Sequence, residues 1–213
     1  MVVLRVGPDD YLFPIPLVPV GPHWYWHTEA GNAEVLSRRI GQNELGAIQV
    51  CRAYVDAQRE YYSADRGTGM LEYAQRLPST KGKRDGLVWE TRPGEEPSPM
   101  GPLAAAATAE GYQAQRGPVP YHGYVYRALF AQGPDAPGGA YNYVVKGHMI
   151  GGFALVAFPA KYGDSGIMTF IVSHDEIVYE KDLGPKTTQV AGAIKAFNPD
   201  QTWHKSQTAP IAR

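Results

Sequence analysis

Hydrophobic positions between residues 43 and 64 recur at the spacing of one face of an α-helix. The apolar face carries Ile48, Cys51, Val55 and Tyr62, and the opposite face carries Gln49, Arg52, Asp56, Arg59 and Ser63. Such a stripe is typical of a helix that lies against a core. The pattern therefore predicts a long amphipathic helix that begins at Asn43, as its N-cap, and ends near Ala64.

After residue 120 the pattern changes to short strand-like segments separated by turn signals. We place these strands at residues 121–130, 141–146, 152–158, 166–172 and 176–179. Shorter helices are predicted at residues 32–39, 70–76, 103–110 and 188–197. Short connections make consecutive strands antiparallel. The expected class is α+β, with the long helix packed on an antiparallel meander sheet of about five strands. This layout is pilin-like in architecture only.

The first 40 residues have a different character from the rest of the chain. Prolines recur along a ribbon from Tyr11 to Pro19, which suits an edge strand or an extended arm, and Trp24–Trp26 begins a second strand. Two strands are too few to bury a core. We expect residues 1–40 to be a remnant or arm of a preceding N-terminal region, and residues 41–213 to be the main α+β domain.

Composition narrows the classes of function. Hydrophobic residues make up 44% of the chain, and 20 basic residues face 21 acidic ones. A core is therefore expected, and nucleic acid is not an expected partner, because no basic stripe runs through the chain. We interpret Lys81–Arg84 as a solvated turn. The absence of a run of about 18 apolar residues argues against a membrane span.

Cys51 is the only cysteine. An intramolecular disulfide and a multi-cysteine metal site are therefore excluded. Its apolar neighbours favour a small buried side chain over a reactive thiol.

Three motifs invite a chemical interpretation that their context does not favour. Gly163–Gly166 matches the nucleophile tetrapeptide of trypsin-like serine proteases, but its flanks and the element order disagree, so we predict a turn. Asp65–Met70 begins like a calcium loop yet has glycine where two oxygen ligands are required. The six histidines lack the spacing of a metal motif. We therefore assign no metal, no cofactor and no catalytic residue.

Aromatic residues suggest a binding surface. Tyr124 and Tyr126 fall on one face of a predicted strand, which is either a stacking platform for a sugar or peptide or the sheet face beneath the helix. Lys161 and Tyr162 follow a predicted strand, where functional side chains often gather. They suggest an anion contact or a general base, with a solvated lysine as the alternative.

Five segments together resemble one bacterial family, Domain of Unknown Function 2950. They are Asn43–Tyr61, Lys83–Trp89, Pro120–Tyr124, Gly151–Gly163 and Gly166–Val172. The resemblance extends over nearly the whole chain. It implies an exported protein, periplasmic or secreted, of unassigned activity, whose full-length form has a signal peptide that this chain does not show.

We expect a non-enzymatic binding or interaction module of the cell envelope, with an unknown protein or small molecule as partner. The binding residues that we predict are Asp85, Trp89, Tyr121, His122, Tyr124, Lys161 and Tyr162. One alternative is an envelope hydrolase that uses Asp85, His122 or Lys161, which would have to converge around one cleft. Another is a pilin-like assembly subunit.

Overall fold

The computed structural model describes residues 1–110 and 120–207. The chain divides into two compact units, one that ends at Gln42 and one that begins at Asn43. No helix in the described ranges combines the length and apolar character needed to cross a membrane.

Three helices occur within the described ranges: α1 (Thr28–Tyr62), α2 (Gly101–Ala109) and α3 (Thr187–Ala193). The strands described are β1 (Arg5–Val6), β2 (Tyr11–Leu12), β3 (Leu17–Val20), β4 (His23–Trp26), β5 (Tyr124–Leu129), β6 (Ala131–Gln132), β7 (Tyr141–Asn142), β8 (Val144–Val145), β9 (His148–Met149), β10 (Ala154–Pro159), β11 (Met168–Ser173), β12 (Tyr179–Asp182) and β13 (His204–Lys205).

The first unit consists of two hairpins and the beginning of α1. Strands β1 and β2 pair antiparallel, as do β3 and β4. Val2 and Leu17 exchange two backbone hydrogen bonds of 2.8 Å, which join the hairpins. The Nδ1 atom of His27 accepts the amide of Ala30 at 3.1 Å and caps α1.

Helix α1 is one continuous helix of 35 residues, so the predicted break between the helix at 32–39 and the long helix is wrong, as is the predicted N-cap at Asn43. Asn43 instead donates its side-chain amide to the carbonyl of Ser165 at 2.8 Å. The Glu44 carboxylate accepts the amides of Ile167 and Met168. A glycine inside a helix costs about 1 kcal/mol, and tertiary contacts of this kind override such a preference.

The second unit contains the main sheet, whose strand order is β13-β12-β11-β10-β5 and whose pairs are all antiparallel. The fold class is therefore α+β with a five-stranded antiparallel sheet. The predicted strand 141–146 lies outside this sheet. Its residues form β7 and β8, which pair with β6 and β9 in two small ribbons. These ribbons flank Tyr143, which is buried and whose amide donates to the carbonyl of Phe130. The fifth strand of the main sheet is β13.

The core lies around β10, whose six residues are all buried. From α1, the Tyr54 hydroxyl donates to the Ala154 carbonyl at 3.3 Å, and its ring meets Phe153 edge-on at 5.7 Å. The Arg127 guanidinium of β5 donates to the carbonyls of Ala191 and Ile194 at the end of α3. Both helices therefore contact the main sheet, α1 at β10 and α3 at β5.

Two other predicted helices differ from the structure. Residues 70–76 are not helical, because the buried side chain of Gln58 accepts the amide of Ala74 and donates to its carbonyl. Helix α3 ends at Ala193, four residues before the predicted end, and Ile194 is extended. The predicted helix at 103–110 is confirmed as α2, and its predicted stop at Gly111 lies outside the described residues.

Candidate functional site

The segment between α1 and α2, residues 63–100, is organised around the indole ring of Trp89. Trp89 is only 9% exposed. The guanidinium carbons of Arg66 and Arg84 lie 5.4 Å and 5.5 Å from its centroid, which is the geometry of cation–π contacts. The indole N–H donates to the carbonyl of Glu96 at 3.4 Å. Trp89 is therefore a platform for two guanidinium groups rather than an exposed stacking surface.

Arg66 is the most enclosed cation of this segment. Its side chain is 6% exposed, and its Nη1 atom donates to the Glu96 carboxylate at 2.6 Å. That hydrogen bond holds the pKa of Glu96 below its ordinary value. The guanidinium also lies over the Tyr61 ring, with 5.5 Å between Cζ and the centroid. The buried Nε atom has no hydrogen-bond partner among the described residues.

The residues after Arg66 form the turn that the sequence predicts in place of a calcium loop. The Asp65 carboxylate accepts the amides of Gly67, Thr68 and Gly69 at 2.9 to 3.1 Å. These backbone hydrogen bonds, with that of Gly67 the largest contributor, hold the pKa of Asp65 below its ordinary value. The carboxylate is thus used to fix the loop from which Arg66 extends.

An open groove of about 830 Å³ is lined by residues 79–84, 88–92 and 95, and Trp89 belongs to this lining. Its cations are Lys81, Lys83, Arg84 and Arg92, and its carboxylates are Glu90 and Glu95. Arg84 pairs with Glu95 at 3.4 Å. Within the described part of the chain, the other three cations of the groove have no ion-pair partner. The groove therefore presents an excess of positive charge.

Asp85 closes a turn beside this groove. Its carboxylate accepts the amide of Thr80 at 2.7 Å and the hydroxyl of Thr80 at 2.8 Å. Both contacts lower the pKa of Asp85, and the hydrogen bond from the Thr80 hydroxyl contributes the most. Asp85 also lines a separate cavity of about 240 Å³, together with Arg66. Two of the predicted binding residues thus lie in this segment, Trp89 at the groove and Asp85 at the cavity.

Four other predicted residues lie on two adjacent turns, Tyr121–Gly123 before β5 and Lys161–Gly166 between β10 and β11. The turns are joined because the Ala160 amide donates to the Gly123 carbonyl at 2.9 Å. His122 has a left-handed backbone, and its ring is so close to α1 that a Cβ at Gly46 would lie 2.9 Å from it.

The side chains on the turn between β10 and β11 have partners within the protein. Lys161 pairs with Asp164 at 3.1 Å, and the Tyr162 hydroxyl contacts Asp182 at 3.2 Å. The hydroxyl of Ser165 accepts the Lys161 amide and donates to the Lys161 carbonyl. The predicted turn at Gly163–Gly166 is confirmed.

Tyr124 belongs to the core and not to an exposed stacking platform. Its side chain is fully buried, and its hydroxyl donates to the Met168 carbonyl at 2.8 Å. Its ring lies against Gly166, where an added Cβ would be 2.6 Å from Cζ. Burial raises the pKa of this phenol well above its ordinary value. Because strand residues two apart share a face, Tyr126 follows Tyr124 toward the interior and is half-buried.

Sequence reasoning missed most of the cations that define this region. The sequence predicts only a solvated turn at Lys81–Arg84, although the density of cations there is a signal for a binding surface. Arg66 carried no such signal, because its burial depends on rings that reach it from Tyr61 and Trp89. Among the described residues, no group of three or more histidine, cysteine, aspartate or glutamate side chains is arranged to hold a metal ion.

Comparison with known proteins gives one informative match. No curated protein and no solved structure matches the chain. A family model described as a protein of unknown function, DUF2950, matches residues 1–206. That range covers nearly all of the 213 residues and includes both compact units up to the last strand. The chain therefore belongs to the DUF2950 family.

Proposed function

We propose that this chain is a non-enzymatic binding module of the bacterial cell envelope, and that its groove binds an acidic peptide segment of a partner protein. The observation that carries the proposal is the group of three cations, Lys81, Lys83 and Arg92, that line the groove without an ion-pair partner in the described ranges. Complementary charge of this kind steers association and selects partners.

The lining of the groove favours a peptide over a dense polyanion. Glu90 and Glu95 lie among the cations, so closely spaced phosphates would meet like charges. Duplex DNA carries one charge per roughly 1.7 Å of its axis. A peptide can place carboxylates opposite the cations and hydrogen-bond donors opposite Glu90 and Glu95. The hydroxyls of Thr80 and Thr91 add neutral hydrogen-bonding groups to the same lining.

An envelope location, periplasmic or secreted, is part of the proposal. It is supported by the exported character that the resemblance to the family implies. Fractionation of the native full-length protein would test it directly, because recovery in the cytoplasm alone would contradict this part.

The alternative of an envelope hydrolase gains no support from the geometry. The Asp85 carboxylate is held by Thr80, and the Lys161 ammonium pairs with Asp164, so each has a structural partner in place of a reacting group. The pilin-like layout and an assembly role stay predictions from element order.

The binding experiment is fluorescence anisotropy with a labelled peptide of alternating glutamate and serine. Its matched control is the same peptide with glutamine in place of glutamate. We expect saturable binding of the acidic peptide, weakened about tenfold or more by the triple substitution Lys81→Ala, Lys83→Ala and Arg92→Ala. Added salt should weaken it as well.

A control variant removes the same charge from elsewhere in the second unit. Lys186, Lys195 and Lys205 are exposed residues outside the groove, and their replacement by alanine should leave the affinity unchanged. Equal loss in both triple variants would show a net-charge effect and contradict a groove site. Equal binding of the glutamine peptide, or no binding of the acidic one, would also reject the proposal.

A further inference from the structure

Helix α2 forms one side of an apolar space, the α2 pocket. The pocket has a volume of about 150 Å³, and the residues described in its lining all carry apolar or aromatic side chains. Leu103, Ala104 and Ala107 line it from α2, because residues three and four apart share a face of a helix. Val50 of α1 and Leu155 of β10 belong to the rest of the lining. Two of the three side chains from α2 are alanines, which are too short to fill this space.

The α2 pocket is accessible from solvent. Helix α2 has no buried residue, and Leu103, Ala104 and Ala107 are half-buried. A helix that is almost wholly apolar is normally buried on all sides. Water in a space with this lining finds few hydrogen-bond partners. An apolar group that displaces such water gains affinity, so the pocket favours an apolar occupant.

The size and lining of the pocket suit an aromatic ring. An apolar cavity of roughly 150 Å³ in another protein binds benzene. Tyr121 and Tyr126 line the α2 pocket, and aromatic rings pack favourably edge to face. The Tyr126 hydroxyl donates to the Tyr121 carbonyl at 3.2 Å, so the polar end of this ring has a partner within the protein. A charged occupant would lose its hydration without compensation, because the described lining contains no charged side chain.

The α2 pocket borders the charged groove. Val88 lines both spaces, so no more than one residue separates them. Leu77 lines the pocket, whereas Ser79 and Thr80 line the groove. Backbone hydrogen bonds hold these segments together, from the Ser79 amide to the Val88 carbonyl at 2.8 Å and from the Val88 amide to the Leu77 carbonyl at 2.9 Å. Since an extended chain advances about 3.3 Å per residue, a bound peptide can pass Val88 within a few residues.

We propose that the α2 pocket binds the phenyl ring of a phenylalanine in the acidic peptide that occupies the groove. This inference rests on the proposed function and adds to it the apolar anchor of the partner. Aromatic side chains buried in pockets carry much of the binding energy of an interface, whereas charges steer and select partners. The partner segment is then an acidic stretch that contains a phenylalanine.

The test compares two labelled peptides by fluorescence anisotropy. One is the alternating glutamate and serine peptide, and the other has phenylalanine in place of one central serine. We expect phenylalanine to raise the affinity about tenfold or more, because burial of a phenyl ring is a large apolar contribution. Toluene, which is the phenylalanine side chain alone, should raise the melting temperature saturably, since a ligand of the native state stabilises it.

Substitutions in α2 test the location of the ring. Ala107→Leu fills the pocket, so it should remove the phenylalanine gain and the toluene shift while the affinity for the glutamate and serine peptide stays unchanged. Ala106→Leu is the matched control, because Ala106 is an exposed residue of the same helix outside the described lining. If circular dichroism shows that Ala107→Leu disturbs the fold, Leu103→Ala provides a second test. It enlarges the pocket, so tryptophan in place of phenylalanine should bind more tightly to this variant than to wild type.

The outcomes separate this inference from the groove. Binding of the glutamate and serine peptide without a gain from phenylalanine would overturn the inference and leave the groove proposal intact. Failure of both peptides to bind would reject the groove and the inference with it, whether or not toluene binds. A phenylalanine gain that persists in Ala107→Leu would place the ring elsewhere and overturn the inference. Dimerisation of the free protein that Ala107→Leu abolishes, measured by sedimentation velocity, would assign the pocket to a second copy and overturn it equally.

Discussion

The guanidinium of Arg66 lies over the indole ring of Trp89, with 5.4 Å between Cζ and the ring centroid. Trp89 lines the open groove, whereas Arg66 lines the smaller cavity. The pair therefore forms part of the wall of both spaces. A change to either residue should affect the lining of both spaces as well as the stability of the segment.

Replacement of Trp89 by alanine tests how much this stack contributes to the stability of the protein. The substitution removes a nearly buried ring and its contacts with Arg66 and Arg84, so we expect a loss of about 3 kcal/mol in the free energy of unfolding. Urea denaturation followed by circular dichroism measures it. Trp24→Ala is the matched control, because Trp24 is 55% exposed and its loss should cost less than about 0.5 kcal/mol. Equal effects would show that the stack contributes little.

Gln58 connects α1 to the residue that interrupts the predicted helix at 70–76. Its amide donates to the Tyr54 hydroxyl and the Ala74 carbonyl and accepts the Ala74 amide. Gln58→Leu should destabilise the protein by about 2 to 5 kcal/mol, since two buried backbone groups lose their partners. Gln49→Leu changes an exposed residue of the same helix and should have little effect on urea denaturation. A similar small effect of Gln58→Leu would contradict this role.

Asp85 should make stability depend on pH. Its pKa in the folded state is lowered by the Thr80 hydroxyl and amide, so ionised Asp85 stabilises the fold above the unfolded-state pKa of about 3.9. That contribution is lost as the pH falls through the lowered value. The difference in unfolding free energy between wild type and Asp85→Asn should therefore be largest near neutral pH and vanish in strong acid.

Thr80→Ala provides the comparison for this pH dependence. It removes the hydroxyl donor but leaves the backbone amide that also contacts Asp85. Its pH dependence should fall between those of wild type and Asp85→Asn. A difference between wild type and Asp85→Asn that is the same at every pH would show that ionisation of Asp85 is not the cause.

Cys51 should be chemically silent in the folded protein. The side chain is fully buried, and burial raises the pKa of its thiol to about 12. The nucleophilic thiolate is therefore scarce, and reagents cannot reach it. We expect native protein to react with a chromogenic disulfide reagent only as fast as it unfolds, and protein in concentrated urea to react at once. Rapid stoichiometric reaction under native conditions would contradict the buried position.

Local patterns in the sequence were sufficient for several elements. The strand β5 lies within its predicted segment, and β10 and β11 each extend one residue beyond theirs. Such strands can be predicted because β-branched and aromatic residues bounded by turn residues encode strands over short distances. Local helix propensity likewise predicts α2. The turns at Asp65–Met70 and Gly163–Gly166 follow from the special backbone freedom of glycine and the capping ability of aspartate and serine.

The candidate site was less predictable than the fold. Asp85 and Trp89 were predicted as binding residues and do lie beside the groove and the cavity. Tyr124 was predicted from strand alternation, which shows that residues share a face but not whether that face is covered. The binding roles of Tyr121, His122, Lys161 and Tyr162 stay predictions.

The sequence by itself determined the α+β class, the main strands and the family of this protein, because these depend on periodicity, propensity and long matching segments. The tertiary structure alone decided that Asn43 lies inside α1, which strand closes the sheet and where Arg66 is buried. Asn43 and Ser165, which meet at α1, are 122 residues apart in the chain. Contacts over such separations leave no periodic trace in either segment, so they emerge only when the chain is folded.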